Sequence, residues 1–446
     1  MEIDEIKKAV RDAIFAHAGD IEDIGDQILR NPELGFKEEK TAQLVKQVFS
    51  SLSLSYTDQL AITGVKARAP GRKHLQTAAV IGELDAVICH GHPFADKTTG
   101  ASHSCGHNAQ IAAMLGAAFG LIKSGAMGEL DGDAVFFAVP AEEFVELEYR
   151  ERLKSAGKIH YFSGKQELIR LGAFDGIDTA MMVHSQANTP ERKVFINGGS
   201  TGFIGKIARF TGKAAHAGGA PYEGVNALNA AMIALNAVNA QRETFRDEDM
   251  IRFHPIITKG GDLVNVVPDD VRIESYVRGK TIRALLDANK KVNRCLQAGA
   301  YATGATVDIT ELPGYLPLHQ NASLGKLFEK NIAPFLRAED ILHDIDMIGS
   351  SDIGDLGAIM PVIQPTMGGF KGSAHGADFE ICDREAAYLL PAIAIATTVV
   401  DLLYDNATAS TAISGNFKPE FSKQDYLSVW DTVLKNKPGN GSHLCE

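Results

Sequence analysis

Four short stretches put metal-type side chains directly after runs that read as β-strands. The first is Ser102-His103-Ser104-Cys105-Gly106-His107-Asn108. Cys105 and His107, one glycine apart, could reach a single ion from an extended turn, and thiolate with imidazole suits zinc or a related transition ion. The same triplet could be a buried cysteine beside a helix-capping segment. The second stretch is Pro140-Ala141-Glu142-Glu143-Phe144. Adjacent carboxylates at a strand end repel and are costly to desolvate without a cation, so one could bind metal while the other takes a proton from water. A solvated helix N-terminus, where the dipole favours glutamate, is the plainer reading. The third and fourth are His184 and His375, the latter in Gly372-Ser373-Ala374-His375-Gly376. Either alone reads as an ordinary hydrogen-bonded histidine. Together the four places supply five ligand-type residues and one spare carboxylate, about enough for two adjacent divalent ions.

A second group stands apart. His216 sits in Gly212-Lys213-Ala214-Ala215-His216-Ala217-Gly218, before a helical pattern, and Asn265 and Arg278 flank a later strand pattern. An arginine can grip a carboxylate bidentately. A turn histidine, a turn asparagine and a solvated strand arginine are the plainer readings.

Such residues work only if the elements bearing them converge. Apolar runs at 78–84, 134–139 and 179–183 lack strict alternation, as expected of strands covered by helices on both faces. Helices are predicted near 4–30, 37–51 and 108–123. That alternation predicts an α/β/α sandwich, whose sites lie at the carboxyl ends of strands. Between 199 and 312 the pattern changes to β-α-β-β-α-β, a ferredoxin-like order. Mixed α/β resumes after Pro313, with a strand at 361–364 and a closing helix at 384–404. The expected organisation is a catalytic domain in two parts, 1–198 and 313–446, with an inserted domain at 199–312. The tail at 436–446 reads as flexible.

Composition narrows the function. At 446 residues the chain exceeds one ordinary core. A formal charge of -12 with no Lys/Arg-rich run argues against a nucleic-acid partner. The apolar stretch 386–400 is shorter than the ~18 residues of a membrane span and reads as a buried helix. The N-terminal segment lacks a signal-peptide pattern, and five scattered cysteines do not form a disulfide framework. A cytoplasmic protein without a membrane partner is expected. A cysteine hydrolase, with Cys105 as nucleophile and His107 or His184 as base, is a rival reading that leaves Glu142, Glu143 and His375 without work. A metal-bound, non-catalytic binding protein is another; the presence of Glu142 argues against it.

These motifs resemble the aminoacylase/carboxypeptidase G-like family of metallo-amidohydrolases, in the branch of aminobenzoyl-glutamate hydrolases and auxin-conjugate (IAA-amino acid) amidohydrolases. The resemblance runs from NPELGF (31–36) to the closing helix. It is carried by GELDAV (82–87), SHSCGHN (102–108), PAEEF (140–144), MVHS (182–185), GKAAHAGGAPYEGVNAL (212–228), NVVPD (265–269), SSDIGDLG (350–357) and AHGADF (374–379). It implies that Cys105, His107, Glu143, His184 and His375 bind two divalent metal ions, zinc or manganese, and that Glu142 is the general base. The inserted domain would be a lid and dimerisation module, making a homodimer in which His216 stabilises the oxyanion in the partner subunit's site. Asn265 and Arg278 would bind substrate, Arg278 through its carboxylate. The implied reaction is hydrolysis by a metal-activated water of the amide in an N-acyl amino acid, an aminobenzoyl-glutamate-like conjugate or a dipeptide. Three departures bear on substrate and metal: Asn108 and Glu83 each stand where the branch commonly has Asp, and His90 and His92 are additional.

Overall fold

Two of the apolar runs, Thr77–Glu83 and Asp133–Val139, are buried along their whole length and pair in parallel. Burial of both sets of alternating side chains requires cover on both faces of the sheet. In a computed structural model, which describes residues 1–435, they centre a six-stranded sheet. Its order is Tyr56–Leu60, Gly64–Ala69, Asp133–Val139, Thr77–Glu83, Thr179–Met181, Val362–Ile363. The last four strands are parallel. The first two form an antiparallel hairpin at one edge that sequence reading did not single out. Its turn runs through Gln59, Ala61 and Ile62 at positive φ, without the Asn-Gly or Asp-Gly signature of a tight hairpin.

The helix predicted near 4–30 is two helices, Ile3–Ala16 and Ala18–Leu29. His17 breaks it: its backbone leaves the helical region (φ -108°, ψ 17°) and its ring stacks on Phe119 at 5.0 Å. The helix His107–Lys123 is buried from His107 through Leu121. It packs closely on Leu390–Leu403, where a Cβ on Gly116 would come within 2.8 Å of the Ala392 Cβ. Pro391 is accommodated in the first turn of that second helix, after a π turn at Glu385–Leu389. The segment Glu385–Leu403 is apolar and long enough to cross a membrane, and its residues 386–403 are all buried.

The chain divides into two compact units. The first comprises Met1–Gly199, His319–Asp346 and Asp355–Glu420. The second contains Gly202–Thr211, Ala227–Ala240, Arg252–Lys259, Asp270–Gly279, Ile282–Thr303 and Thr306–Tyr315, the β-α-β-β-α-β order of a ferredoxin-like domain. Its antiparallel sheet runs 252–259, 270–279, 202–211, 306–315. Two further pieces join it: Met347–Gly354 and, among the described residues, 421–435. Sequence reading had placed both with the catalytic domain. The helix Lys423–Lys435 packs on strand Thr306–Tyr315 because Tyr426, Trp430 and Val433 fall on one buried stripe at helical spacing. The tail at 436–446, with Cys445, lies outside the described residues. The other four cysteines are free.

Candidate metal centre

In the first unit the carboxyl ends of the parallel strands deliver the chemistry. Glu83 closes Thr77–Glu83 and Asp85 follows it; Glu142 and Glu143 follow Asp133–Val139; His184 comes three residues after Thr179–Met181. His107 opens the buried helix, and His375 lies in the loop between the paired strands Phe370–Lys371 and Glu380–Ile381. Gly106 has φ +81°, and a Cβ there would stand 2.7 Å from the Ser185 Cβ, so only glycine lets Cys105 and His107 face the same way. Ala141 (φ +54°) and His375 (φ +60°) also adopt the left-handed region. Such conformations persist where surroundings over-determine them. Ala141 N–H donates to Glu38 Oε1 at 2.8 Å, His375 N–H donates to the Ser104 carbonyl at 2.9 Å, and the buried Arg150 guanidinium donates to the Glu143 carbonyl.

Cys105, His107, Glu142, Glu143, His184 and His375 thereby come together, with Glu83. Three triads have donor atoms within 4.8 Å of one another: Cys105–His107–His184, Cys105–Glu143–His375 and Glu83–His107–Glu142. Cys105 Sγ is 3.5 Å from His184 Nε2, and His375 Nε2 is 3.2 Å from Glu143 Oε1. The outer ring nitrogens are occupied by backbone: His107 Nδ1 donates to the Asp85 carbonyl and His184 Nδ1 to the Ser185 carbonyl, each at 2.9 Å. Both Nε2 atoms are thus turned into the cage, the arrangement by which outer partners orient metal-binding imidazoles. Glu83 Oε2, Asp85 Oδ1 and His107 Nε2 are buried there without hydrogen-bond partners. A soft thiolate, three imidazoles and carboxylates in such a cage fit divalent transition ions.

The electrostatics agree. Burial and the Glu143 carboxylate oppose ionisation of Cys105, but His184 and His107 outweigh them and bring the thiol down to about 6. Hydrogen bonding to Cys105 and Glu143 takes His375 up to about 11 against its burial. Burial disfavours charge on His107 and His184, yet Glu83 and Cys105 raise the first, and Cys105 the second. Glu83 falls to about 2 despite burial, because Lys165 and His107 face it. The cage is rich enough in negative charge to hold protons where cations would compete for the same lone pairs.

The remaining predicted residues lie in the second unit. His216 is exposed; its Nδ1 accepts from Gly218 N–H at 3.2 Å and Gly219 N–H at 2.9 Å. Asn265 is beside it in the backbone, its carbonyl accepting from Ala217 N–H. Arg278 stands elsewhere, over the Phe203 ring at 5.3 Å, donating to Ser350 Oγ at 2.7 Å and His254 Nε2 at 3.1 Å. Asn108 turns toward the Gly25 carbonyl and Tyr388 hydroxyl. His92 pins the additional segment by donating from Nε2 to the Phe379 carbonyl, and exposed His90 packs on Gly100.

Sequence reading did not give site roles to Glu83, Asp85, Glu38 or Lys165. Glu83 and Asp85 were visible within GELDAV at a strand end. Nothing local marks Lys165, which meets Glu83 across 82 positions. Glu38 is fully buried, accepts from Thr63 Oγ1 at 2.6 Å as well as from Ala141, and is driven up to about 8 by burial and by Asp85.

Comparison with known proteins places this geometry. The family described as a peptidase dimerisation domain matches residues 198–303. The chain is similar to Xaa-Arg dipeptidase of Mus musculus, 29% identical over 375 residues, which span 81% of this chain and 78% of that one. It is also similar to an IAA-amino acid hydrolase of Arabidopsis thaliana, 26% identical over 341 residues, 73% of this chain and 72% of that one. Among solved structures, a dinuclear metal-binding peptidase from the M20 family of Bacillus subtilis has the same fold, with a TM-score of 0.68 at 20% identity over 87% of this chain and 99% of that one.

Proposed function

Since this chain belongs to the M20 peptidase family, enzymes that hydrolyse amide bonds, we propose that it cleaves the amide of an N-acyl amino acid, an aminobenzoyl-glutamate-like conjugate or a dipeptide. The observation carrying this reading is the buried cage in which thiol, imidazole and carboxylate atoms converge in triads within 4.8 Å, with Glu83 Oε2 and His107 Nε2 left without hydrogen-bond partners. Cys105, His107, Glu143, His184 and His375 would hold two divalent ions, zinc or manganese. Bound there, the ions would acidify a water and polarise the scissile carbonyl. Glu142 Oε2, 4.0 Å from His107 Nε2, is placed to take a proton from that water and return it to the leaving nitrogen.

His216 suits an oxyanion donor. With Nδ1 accepting two backbone N–H groups, the neutral ring carries its proton on Nε2, directed away from its own loop. Arg278, braced by Ser350, His254 and Phe203, would hold a substrate carboxylate, and Asn265 would assist. The second unit exposes Ile256, Leu263 and Val264, apolar side chains on and just after the edge strand Arg252–Lys259. An open edge with apolar cover fits a homodimer.

The deciding experiment is a hydrolysis screen of N-acyl amino acids, aminobenzoyl-glutamate and dipeptides with protein reconstituted in zinc or manganese, alongside elemental analysis. Turnover that depends on metal supports the reading. Turnover by metal-free protein, abolished by Cys105→Ser, would move the assignment to a cysteine hydrolase.

A further inference from the structure

The two oxygens of Glu83 face different surroundings. Oε1 accepts from Lys165 Nζ at 2.5 Å, and both side chains are fully buried. Oε2 has no hydrogen-bond partner, although it lies 3.2 Å from His107 Nε2. That nitrogen also has no hydrogen-bond partner. On the far side of the ring, Nδ1 is 2.9 Å from the Asp85 carbonyl oxygen and 3.5 Å from the Asp85 carboxylate. The carbonyl acceptor, with the carboxylate close behind it, holds a proton on Nδ1, so Nε2 is the nitrogen left to face Glu83. Nε2 and the Glu83 oxygen meet in a buried space where only positive charge between them, a proton or a cation, makes the meeting favourable.

We propose that Glu83 is itself a metal ligand, sharing with His107 the ion on that side of the cage, and that Lys165 reserves Oε1 so that the carboxylate binds through Oε2 alone. The inference rests on the two-ion reading above. It adds a carboxylate to the five expected ligands and gives Lys165 a positioning role. Glu142 completes that triad geometrically, but its proton-transfer role does not require it to bind. Side-chain length matters: an aspartate at 83 would end one methylene short, with Lys165 still drawing on its charge.

The test is cobalt(II) titration of the full chain after chelation, read by ligand-field absorption and by bound metal after desalting. The wild type is expected to take two equivalents. Glu83→Gln and Glu83→Asp are expected to weaken one equivalent by at least ~10–100-fold, the range that changes outside the ligand sphere already produce, and to alter its absorption. The double variant Glu83→Gln/Lys165→Met removes both buried charges together, so a folding defect from an unpaired lysine does not mask the result; it is expected to show the same loss. If these variants bind two equivalents with unchanged affinity and spectrum, Glu83 merely neutralises Lys165 and the proposal is overturned. If the wild type itself binds no cobalt, the two-ion reading fails first and this inference with it.

Discussion

Replacing Glu38 by glutamine is expected to stabilise the protein at alkaline pH and to change little in acid. Glu38 is a buried carboxyl whose pKa burial, and then Asp85, raise from 4.5 to about 8. A folded-state pKa above the unfolded one means the group's contribution to stability is fully present below about 4.5. It is lost progressively as pH rises through about 8. Each pH unit in that window is worth up to about 1.4 kcal/mol. Glutamine mimics the protonated acid in shape and neutrality, keeping an acceptor for Ala141 N–H and a partner for Thr63 Oγ1, and it does not ionise. Urea unfolding midpoints of wild type and Glu38→Gln, compared at pH 5, 7 and 9, should therefore diverge in the variant's favour as pH rises. Glu38→Ala is the contrasting control. It leaves the Ala141 N–H and Thr63 hydroxyl buried without their partner, about 1–3 kcal/mol each, beside a backbone already at positive φ. It should be destabilised at every pH. A Glu38→Gln midpoint difference that is flat or shrinks from pH 5 to 9 would refute the reasoning.

Three further outcomes are expected. Glu142→Gln should retain its metal content and lose about 10²–10⁴-fold in kcat, the usual worth of general acid–base transfer; full activity would remove Glu142 as the base. His216→Ala should lower kcat by the equivalent of roughly 3–4 kcal/mol, as for other oxyanion donors, with metal content unchanged; metal loss in that variant would contradict its assignment. Gly106→Ala should cost about 1–2 kcal/mol for the left-handed conformation, plus the clash with Ser185. Because that strain falls between Cys105 and His107, metal affinity measured by chelator competition should drop more than the thermal midpoint does.

The site was legible where chemistry is local in sequence. Cys105-Gly106-His107 and Glu142-Glu143 are short words at strand ends, and strand ends can be read from apolar runs such as 134–139. His184 and His375 were visible only as members of that set. The groups that hold these residues were not legible, because their partners are distant. Lys165 reaches Glu83 from the helix Gly164–Arg170, Arg150 reaches the Glu143 carbonyl, and Glu38 reaches Ala141 across 103 positions. The ferredoxin-like order was legible because its strands alternate and its helices carry one buried stripe. The edge hairpin at Tyr56–Ala69 was not, since its turn lacks a glycine-type signal. Nor was the attachment of Lys423–Lys435, because an apolar stripe specifies that something is covered, not what.

The cage draws on segments interrupted by an insertion, and this sets an order of events in synthesis. Cys105 and His375 are 270 positions apart. At about 5–20 residues per second, roughly 15–50 seconds separate their emergence from the ribosome. In that interval the intervening ferredoxin-like unit can complete its own sheet, while a thiol and several acidic groups of the unfinished first unit wait without their closing histidine. On the proposed reading, the cage cannot take up its full set of ions until residue 375 has emerged. A nascent protein stalled before residue 375 should be more open to thiol oxidation and to capture of the wrong cation than the finished one.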